Sequence, residues 1–290
     1  MHKAQVKPIS EVLPILSMTA SVACLVLLDG FTKLLTSSVP PENIVFLRYT
    51  VAFILFFPLV IGKVKSRWPP RSIRYHFLRS TFGALSSWFY VMAVNRLELT
   101  TFVLITQTIP VFSAIVGAIF LKERIYSRKL FLLHFAIIAC ITSAVGTPKT
   151  FSDPLSVSYA VVGSFLYAIS MAFGKKGSEI DGYSFATLCT LGFGALVTFP
   201  FTSEVGTVFS QSFSLTLVLS LGMLTLMSRL LSSWSLSHAP LSSLGALEYT
   251  TLFWAILFGF CLFDDVTSLK TVLFGTAGAF LGVCASRQKS

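Results

Sequence analysis

The strongest constraint in this chain is the recurrence of apolar stretches long enough to cross a bilayer, separated by short polar connections. A hydrocarbon core of about 30 Å is crossed by roughly 20 mostly apolar helical residues. That criterion divides the chain into ten stretches: 12–36, 43–62, 75–95, 99–121, 130–147, 154–175, 183–202, 213–236, 241–263 and 270–286. Only 12% of the 290 residues are charged and 54% are hydrophobic, whereas soluble domains carry about a quarter charged residues. The sequence therefore predicts an all-α integral membrane protein with ten transmembrane helices and no separate soluble domain. Lys3 and Lys7 ahead of an apolar run have the form of a secretory leader. However, Ser21 stands where lipoprotein processing takes a bulky aliphatic residue, and the run continues past Cys24, so the stretch is read as the first span.

The formal charge of +10 falls in short blocks between apolar stretches rather than on one amphipathic face. This argues for cytoplasmic loops and for no nucleic acid partner. With the N-terminus inside, sixteen Lys and Arg lie on the inner side, among them Lys63, Lys65, Arg67, Arg71, Arg74, Arg79, Lys122, Arg124, Arg128, Lys175 and Lys176. Only Arg96, Lys149 and Lys270 lie outside, and Lys33, Arg48 and Arg229 fall within helices. Both termini are expected in the cytoplasm, which an even number of spans satisfies.

No catalytic set, metal site or cofactor motif is apparent. The five cysteines form no Cys-x-x-Cys pair, and His2, His76, His134 and His238 are far apart. Gly174-Lys175-Lys176-Gly177-Ser178 lacks both the earlier glycine, where Ile169 stands, and a Ser or Thr directly after Lys175, so it is no phosphate-binding loop. The chain is expected not to be an enzyme.

A shift of 142 residues superimposes the two halves without gaps. Phe31-x-Lys33 falls on Phe173-x-Lys175, Phe57-Pro58 on Phe199-Pro200, Leu99-Thr100-Thr101 on Leu241-Ser242-Ser243, Gly117 on Gly259 and Glu123 on Asp265. The expected units are two five-helix repeats, 1–147 and 148–290. An odd number of spans inverts the second relative to the first. Inverted repeats hold their site near the midplane, at the repeat interface.

With Phe46-Leu47-Arg48-Tyr49 in the second span, Ile109-Pro110 in the fourth, Phe120-Leu121-Lys122-Glu123-Arg124-Ile125 at its end and Leu262-Phe263-Asp264-Asp265 after the ninth, the chain resembles the EamA family of the drug/metabolite transporter superfamily. Within it, His76-x-Leu78-Arg79, Ser87-Trp88-x-Tyr90 and the run from Thr101 to Ile125 resemble the S-adenosylmethionine transporters of obligate intracellular bacteria. That resemblance implies a bacterial inner-membrane carrier taking up S-adenosylmethionine in exchange for S-adenosylhomocysteine. Glu248 departs from it, standing where that branch carries an Arg. Amino-acid or general metabolite export remains the alternative, with a lipid-linked flippase or a non-transport membrane protein ranked lower. The expected partners are a small-molecule metabolite and membrane lipids; the oligomeric state stays open.

A charged side chain inside a span needs a partner or a wet cavity. Asp29 and Lys33 share a face of the first span, and Asp29 and Arg48 fall at similar depth toward the outer side. Arg229 and Glu248 lie about 10 Å from the inner surface, counted at 1.5 Å per residue. Two pairs at two depths are expected, serving either to bind a zwitterion or move a proton, or to lock helices together; Lys33 alternatively snorkels to the interface. Trp88, Tyr90, Thr106, Gln107 and Tyr249 are the expected uncharged substrate-binding residues, by aromatic stacking, cation–π attraction or hydrogen bonding. Pro110 is a candidate hinge, and Gly83, Gly117 and Gly259 are candidate sites of close helix packing.

Overall fold

Long apolar runs must satisfy their backbone groups internally, and the helix does so. The computed structural model describes residues 12–67, 69–97, 99–123, 131–135, 138, 153–203, 212–263 and 269–287, and among these every regular element is helical. The chain forms α1 (Val12–Leu35), α2 (Pro41–Arg67), α3 (Ile73–Arg96), α4 (Leu99–Thr106), α5 (Ile109–Phe120), α6 (Pro154–Asp181), α7 (Tyr183–Thr198), α8 (Ser212–Leu236), α9 (Leu241–Gly245), α10 (Thr250–Phe263) and α11 (Leu269–Ser286). A 3-10 turn at Phe199–Phe201 ends α7, and another at Ala246–Tyr249 joins α9 to α10.

Seven stretches among the described residues are long and apolar enough to cross a membrane: Val12–Leu35, Pro41–Gly62, Phe102–Phe120, Pro154–Asp181, Tyr183–Phe201, Leu215–Leu236 and Leu241–Cys261. Val272–Ser286 is apolar but shorter. At 24 residues α3 is about 36 Å long, yet Arg74, His76, Arg79 and Arg96 set its composition apart. Most of the expected span 130–147 lies outside the described residues, although 131–135 are helical. Asp265, Arg124 and Ile125 also lie outside them. Large apolar side chains such as Leu59, Ile119, Leu196 and Phe280 are exposed, as a lipid-facing surface requires.

Val12 and Pro154, Pro41 and Tyr183, and Leu99 and Leu241 each begin a helix, and each pair is separated by the 142-residue shift. The expected spans 99–121 and 241–263 are both interrupted. α4 ends at Thr106 and α5 restarts at Ile109, while α9 and α10 are separated by the 3-10 turn that carries Glu248. Pro110 sits in the first turn of α5, where its missing N–H removes no helical bond. The same shift places Leu252 opposite it, so the second interruption forms without a proline. Pro58 lies inside α2, whereas Pro200 belongs to the 3-10 turn that ends α7.

The helices interlock across the two halves: α3 lies along α6, α8 along α1, and α2 against both α7 and α8. Small residues let α3 and α6 approach closely. A Cβ on Gly163 would stand 2.6 Å from the Tyr90 ring, and one on Gly83 would stand 2.9 Å from Ser170 Oγ.

Candidate functional site

Where α1, α2, α3, α6 and α8 meet the two interrupted helices, Leu25, Leu28, Asp29, Arg48, Ser86, Ser87, Tyr90, Thr106, Ile109, Tyr167, Arg229, Glu248 and Thr251 line one cavity, with about 490 Å³ of empty space, part of it open to the outside. Asp29, Arg48, Tyr90, Thr106, Arg229 and Glu248 were all anticipated from sequence. Their arrangement was not. The two expected pairs at separate depths share a single cavity, and neither closes. Among the described residues the ion pairs are His76–Asp181, Arg96–Asp153 and Lys175–Glu179. Depth counted along each helix neglects tilt, and tilt is set by packing.

Arg229 is held by aromatic rings instead. Its Cζ lies 5.9 Å from the ring centres of both Tyr49 and Tyr167, and its Nη2 donates to Tyr49 Oη at 3.2 Å. Tyr49 Oη is also 3.2 Å from Ser87 Oγ, which donates to the Gly83 carbonyl at 2.8 Å. Arg48 Cζ lies 5.6 Å from the Tyr49 ring. Tyr49 is fully buried between the two guanidiniums, and a Cβ on Gly194 would press against its ring at 2.7 Å. In the sequence Tyr49 stands out only as part of the Phe46-Leu47-Arg48-Tyr49 motif, and Tyr167 does not stand out. Tyr49 carried a signal as the tyrosine next to Arg48, whereas Tyr167 has no cation beside it in sequence, and the 28 phenylalanines make aromatic positions uninformative singly.

Two buried groups facing the cavity have unused hydrogen-bonding capacity, Glu248 Oε1 and Arg48 Nε. Glu248 is 3% exposed and Arg48 4%. Buried polar atoms are ordinarily paired, so an orphan acceptor and an orphan donor on residues lining one cavity suit a ligand that brings both an ammonium and a carboxylate. Tyr90 donates to Ser164 Oγ at 3.1 Å, and Ser86 to the Gly163 carbonyl at 2.8 Å. Thr106 Oγ1 donates to the Val103 carbonyl at 2.7 Å, leaving its lone pairs free for the cavity.

The other expected site residues lie elsewhere. Trp88 packs on the apolar cluster of α1, α2, α7 and α8, with its ring 5.4 Å from Phe89. Gln107 is buried and donates to the Val103 carbonyl at 3.1 Å. Tyr249 donates to the Leu133 carbonyl at 3.1 Å, tying the second interrupted helix to the helical stretch 131–135. These three point along other helix faces than Thr106 and Glu248. Lys33 neither pairs with Asp29 nor lines the cavity; its Nζ reaches the Leu97 carbonyl at 2.8 Å.

Arg79, expected among the solvated cytoplasmic cations, is 2% exposed and lies inside the bundle. Nearby, Ser72, His76 and Asp181 cluster where α3 begins and α6 ends. Asp181 accepts from the Arg71 and Ser72 amides at 3.0 and 2.9 Å, from Ser72 Oγ, and from His76 Nε2 at 3.0 Å. Ser72 Oγ contacts that same Nε2 at 3.1 Å, and Nδ1 has no partner. A proton relay uses the two ring nitrogens in opposite senses. Here one nitrogen serves both neighbours, so the cluster ties α3 to α6.

Residues 12–145 match the EamA-like transporter family. An uncharacterized transporter of Helicobacter pylori (strain ATCC 700392 / 26695) is 21% identical over 260 residues, covering 86% of each chain. The pseudopaline exporter CntI of Pseudomonas aeruginosa (strain UCBPP-PA14) is 23% identical over 268 residues, 90% of this chain and 92% of that one. A solved protein crystal structure shares the fold at a TM-score of 0.73 and 14% identity, covering 97% of this chain and 98% of the other. With the seven apolar stretches, the family match and the transporter relatives support a multi-pass membrane protein with a role in membrane transport.

Proposed function

We propose that the chain is a secondary transporter that moves a small polar metabolite, carrying both an amine and a carboxylate, across a bacterial inner membrane by alternating access. The carrying observation is the cavity bounded by Asp29, Arg48, Arg229 and Glu248, in which Glu248 Oε1 and Arg48 Nε lack partners. The ammonium of the cargo takes Glu248, and its carboxylate takes Arg48. Tyr90, Tyr167 and Thr106 line the space between, so a flat aromatic group stacks there. The common spacing of helix starts supports a duplicated ten-helix scaffold of two inverted halves, 1–147 and 148–290, with both termini in the cytoplasm.

Within this class, the sequence resemblance favours S-adenosylmethionine uptake in exchange for S-adenosylhomocysteine. The alternative is export of an amino-acid-like metabolite, favoured by the likeness to an exporter over most of the chain. Proteoliposomes loaded with S-adenosylhomocysteine and presented with labelled S-adenosylmethionine decide between them. Uptake that requires the internal partner supports exchange. No uptake in any loading removes S-adenosylmethionine and leaves the amino-acid panel to be tested. Glu248→Gln and Arg229→Gln are each expected to lower uptake at least tenfold, the scale of one lost charge-assisted contact, about 1.5–3 kcal/mol; unchanged kinetics would make these residues structural.

A further inference from the structure

Arg79 is among the largest fully buried side chains. Its Nη2 donates to Ser233 Oγ at 2.9 Å, and Ser233 in turn donates to the Arg229 carbonyl at 2.6 Å. Nη1 has no hydrogen-bond partner, and no carboxylate forms an ion pair with Arg79 among the described residues. Its electrostatic neighbours are Arg229, Tyr167, Tyr49 and Cys189. The guanidinium lies on the bare backbone of Gly174, where a Cβ would stand 2.8 Å from Nε and 3.0 Å from Cζ. A buried guanidinium facing a second one, with an unused donor and no anion, is strongly unfavourable unless a ligand completes it.

Its position gives that ligand a route. Arg79 lies seven residues before Ser86 on α3, about 10 Å from the central cavity toward the Ile73 end. The seam is polar on both sides of it: Ser80 and Ser170 are buried toward the cavity, and Ser178, His76 and Asp181 continue to the end of the bundle. We propose that Arg79, with Ser233 and the neighbouring Arg229, forms a second, anion-binding station between the central cavity and the Ile73 end of α3, and that it receives the carboxylate of the cargo as α3 parts from α6 and α8. This rests on the reading of the chain as a carrier of a metabolite with an amine and a carboxylate. Arg48 and Glu248 hold the cargo at the centre, and Arg79 offers its carboxylate a partner on the way to or from the surface. Without such a partner the carboxylate crosses the seam unpaired.

A carboxylate or a small inorganic anion would both satisfy Nη1, and two measurements separate them. In the first, thermal unfolding of the purified full-length protein is followed in acetate and in chloride at matched ionic strength. Acetate is expected to raise the midpoint of the wild type and of Arg79→Lys, and to raise that of Arg79→Gln and Ser233→Ala less. Equal stabilisation of all four overturns the station, as does an Arg79-dependent effect of chloride with none of acetate. In the second, proteoliposomes exchange S-adenosylhomocysteine or its carboxamide. Arg79→Gln is expected to slow exchange of the acid about tenfold, the scale of one charge-assisted hydrogen bond, and to leave the amide at its wild-type rate. Equal slowing of both makes Arg79 a structural residue. If the wild type exchanges neither compound, the choice of cargo fails while the acetate measurement still decides the station; Ser233→Ala keeps that test open should Arg79→Gln not fold.

Discussion

Lys33 donates through Nζ to the Leu97 carbonyl at 2.8 Å, just past the end of α3, and Lys175 donates to the Ala239 carbonyl at 2.9 Å, just past the end of α8. Each acceptor stands 64 residues beyond its lysine. Lys175 also reaches the carbonyl of Leu236, the last residue of α8, at 3.4 Å; carbonyls at a helix end have no partner within it and sit at the negative end of its dipole, so a lysine on an adjacent helix is a suitable cap. The same bond at positions 142 residues apart is what the proposed duplication expects, and it gives Lys33 a partner outside the cavity.

Lys33→Met and Lys175→Met are therefore expected to lower the thermal unfolding midpoint by similar amounts, each losing about 1.5–3 kcal/mol from a charge-assisted bond. Lys175 also meets Glu179 at 2.8 Å, but that carboxylate is half exposed and adds little. Unfolding of the two variants in detergent tests this; a large effect at one lysine only would argue against equivalence.

Glu123 caps the start of α9 from the other half of the chain. Its two carboxylate oxygens accept the Leu241 and Ser242 amides at 2.8 and 2.9 Å. Lys122 makes the turn with φ 55°, a left-handed conformation unusual for a side-chain-bearing residue. Glu123→Ala should cost about 1–2 kcal/mol as a lost helix cap, and Glu123→Gln, which keeps one acceptor, should cost less. Chemical denaturation of the two variants would reveal the order, and a reversed order would show that the cap is not what Glu123 contributes.

Gly163→Ala places a Cβ 2.6 Å from Tyr90 Cδ1, so the ring must move into the cavity or α6 must withdraw. Overpacking of this kind costs about 1–3 kcal/mol. Transport should fall, and the Gly163→Ala/Tyr90→Ala double variant should be no worse than Tyr90→Ala alone, because the clash is gone. Uptake rates for the three variants make the comparison; additive losses would mean that Gly163 acts through another neighbour.

Tyr49→Phe removes the hydroxyl that holds Arg229 Nη2 and meets Ser87 Oγ. The expected cost is about 1 kcal/mol of stability and a several-fold rise in KM. Arg229→Gln on that background should add less than it does in the wild type, since the two residues act as one unit. Kinetics of the single and double variants measure that coupling.

Much of the scaffold was legible before folding. Helix starts and the in-span charges Asp29, Arg48, Arg229 and Glu248 follow from local rules, because a bilayer demands a fixed length of apolar helix and penalises every charge within it. Pro110 marked the first interruption as a candidate hinge, whereas the one at Ala246–Tyr249 has no proline to announce it. Arg79 was misplaced for a related reason: an arginine near the end of a span looks like a solvated cation until its neighbours are known.

Sequence by itself determined which stretches are apolar enough to be helical and which charges have to be accommodated inside the bundle. Tertiary structure alone decided which side chains share a space. It gathered two expected ion pairs into one unpaired cavity, turned Trp88, Gln107 and Tyr249 toward other helices, and laid Arg79 on Gly174. The physical reason is that a helix's rotation and tilt are set by the surfaces packed against it, and those surfaces come from the other half of the chain.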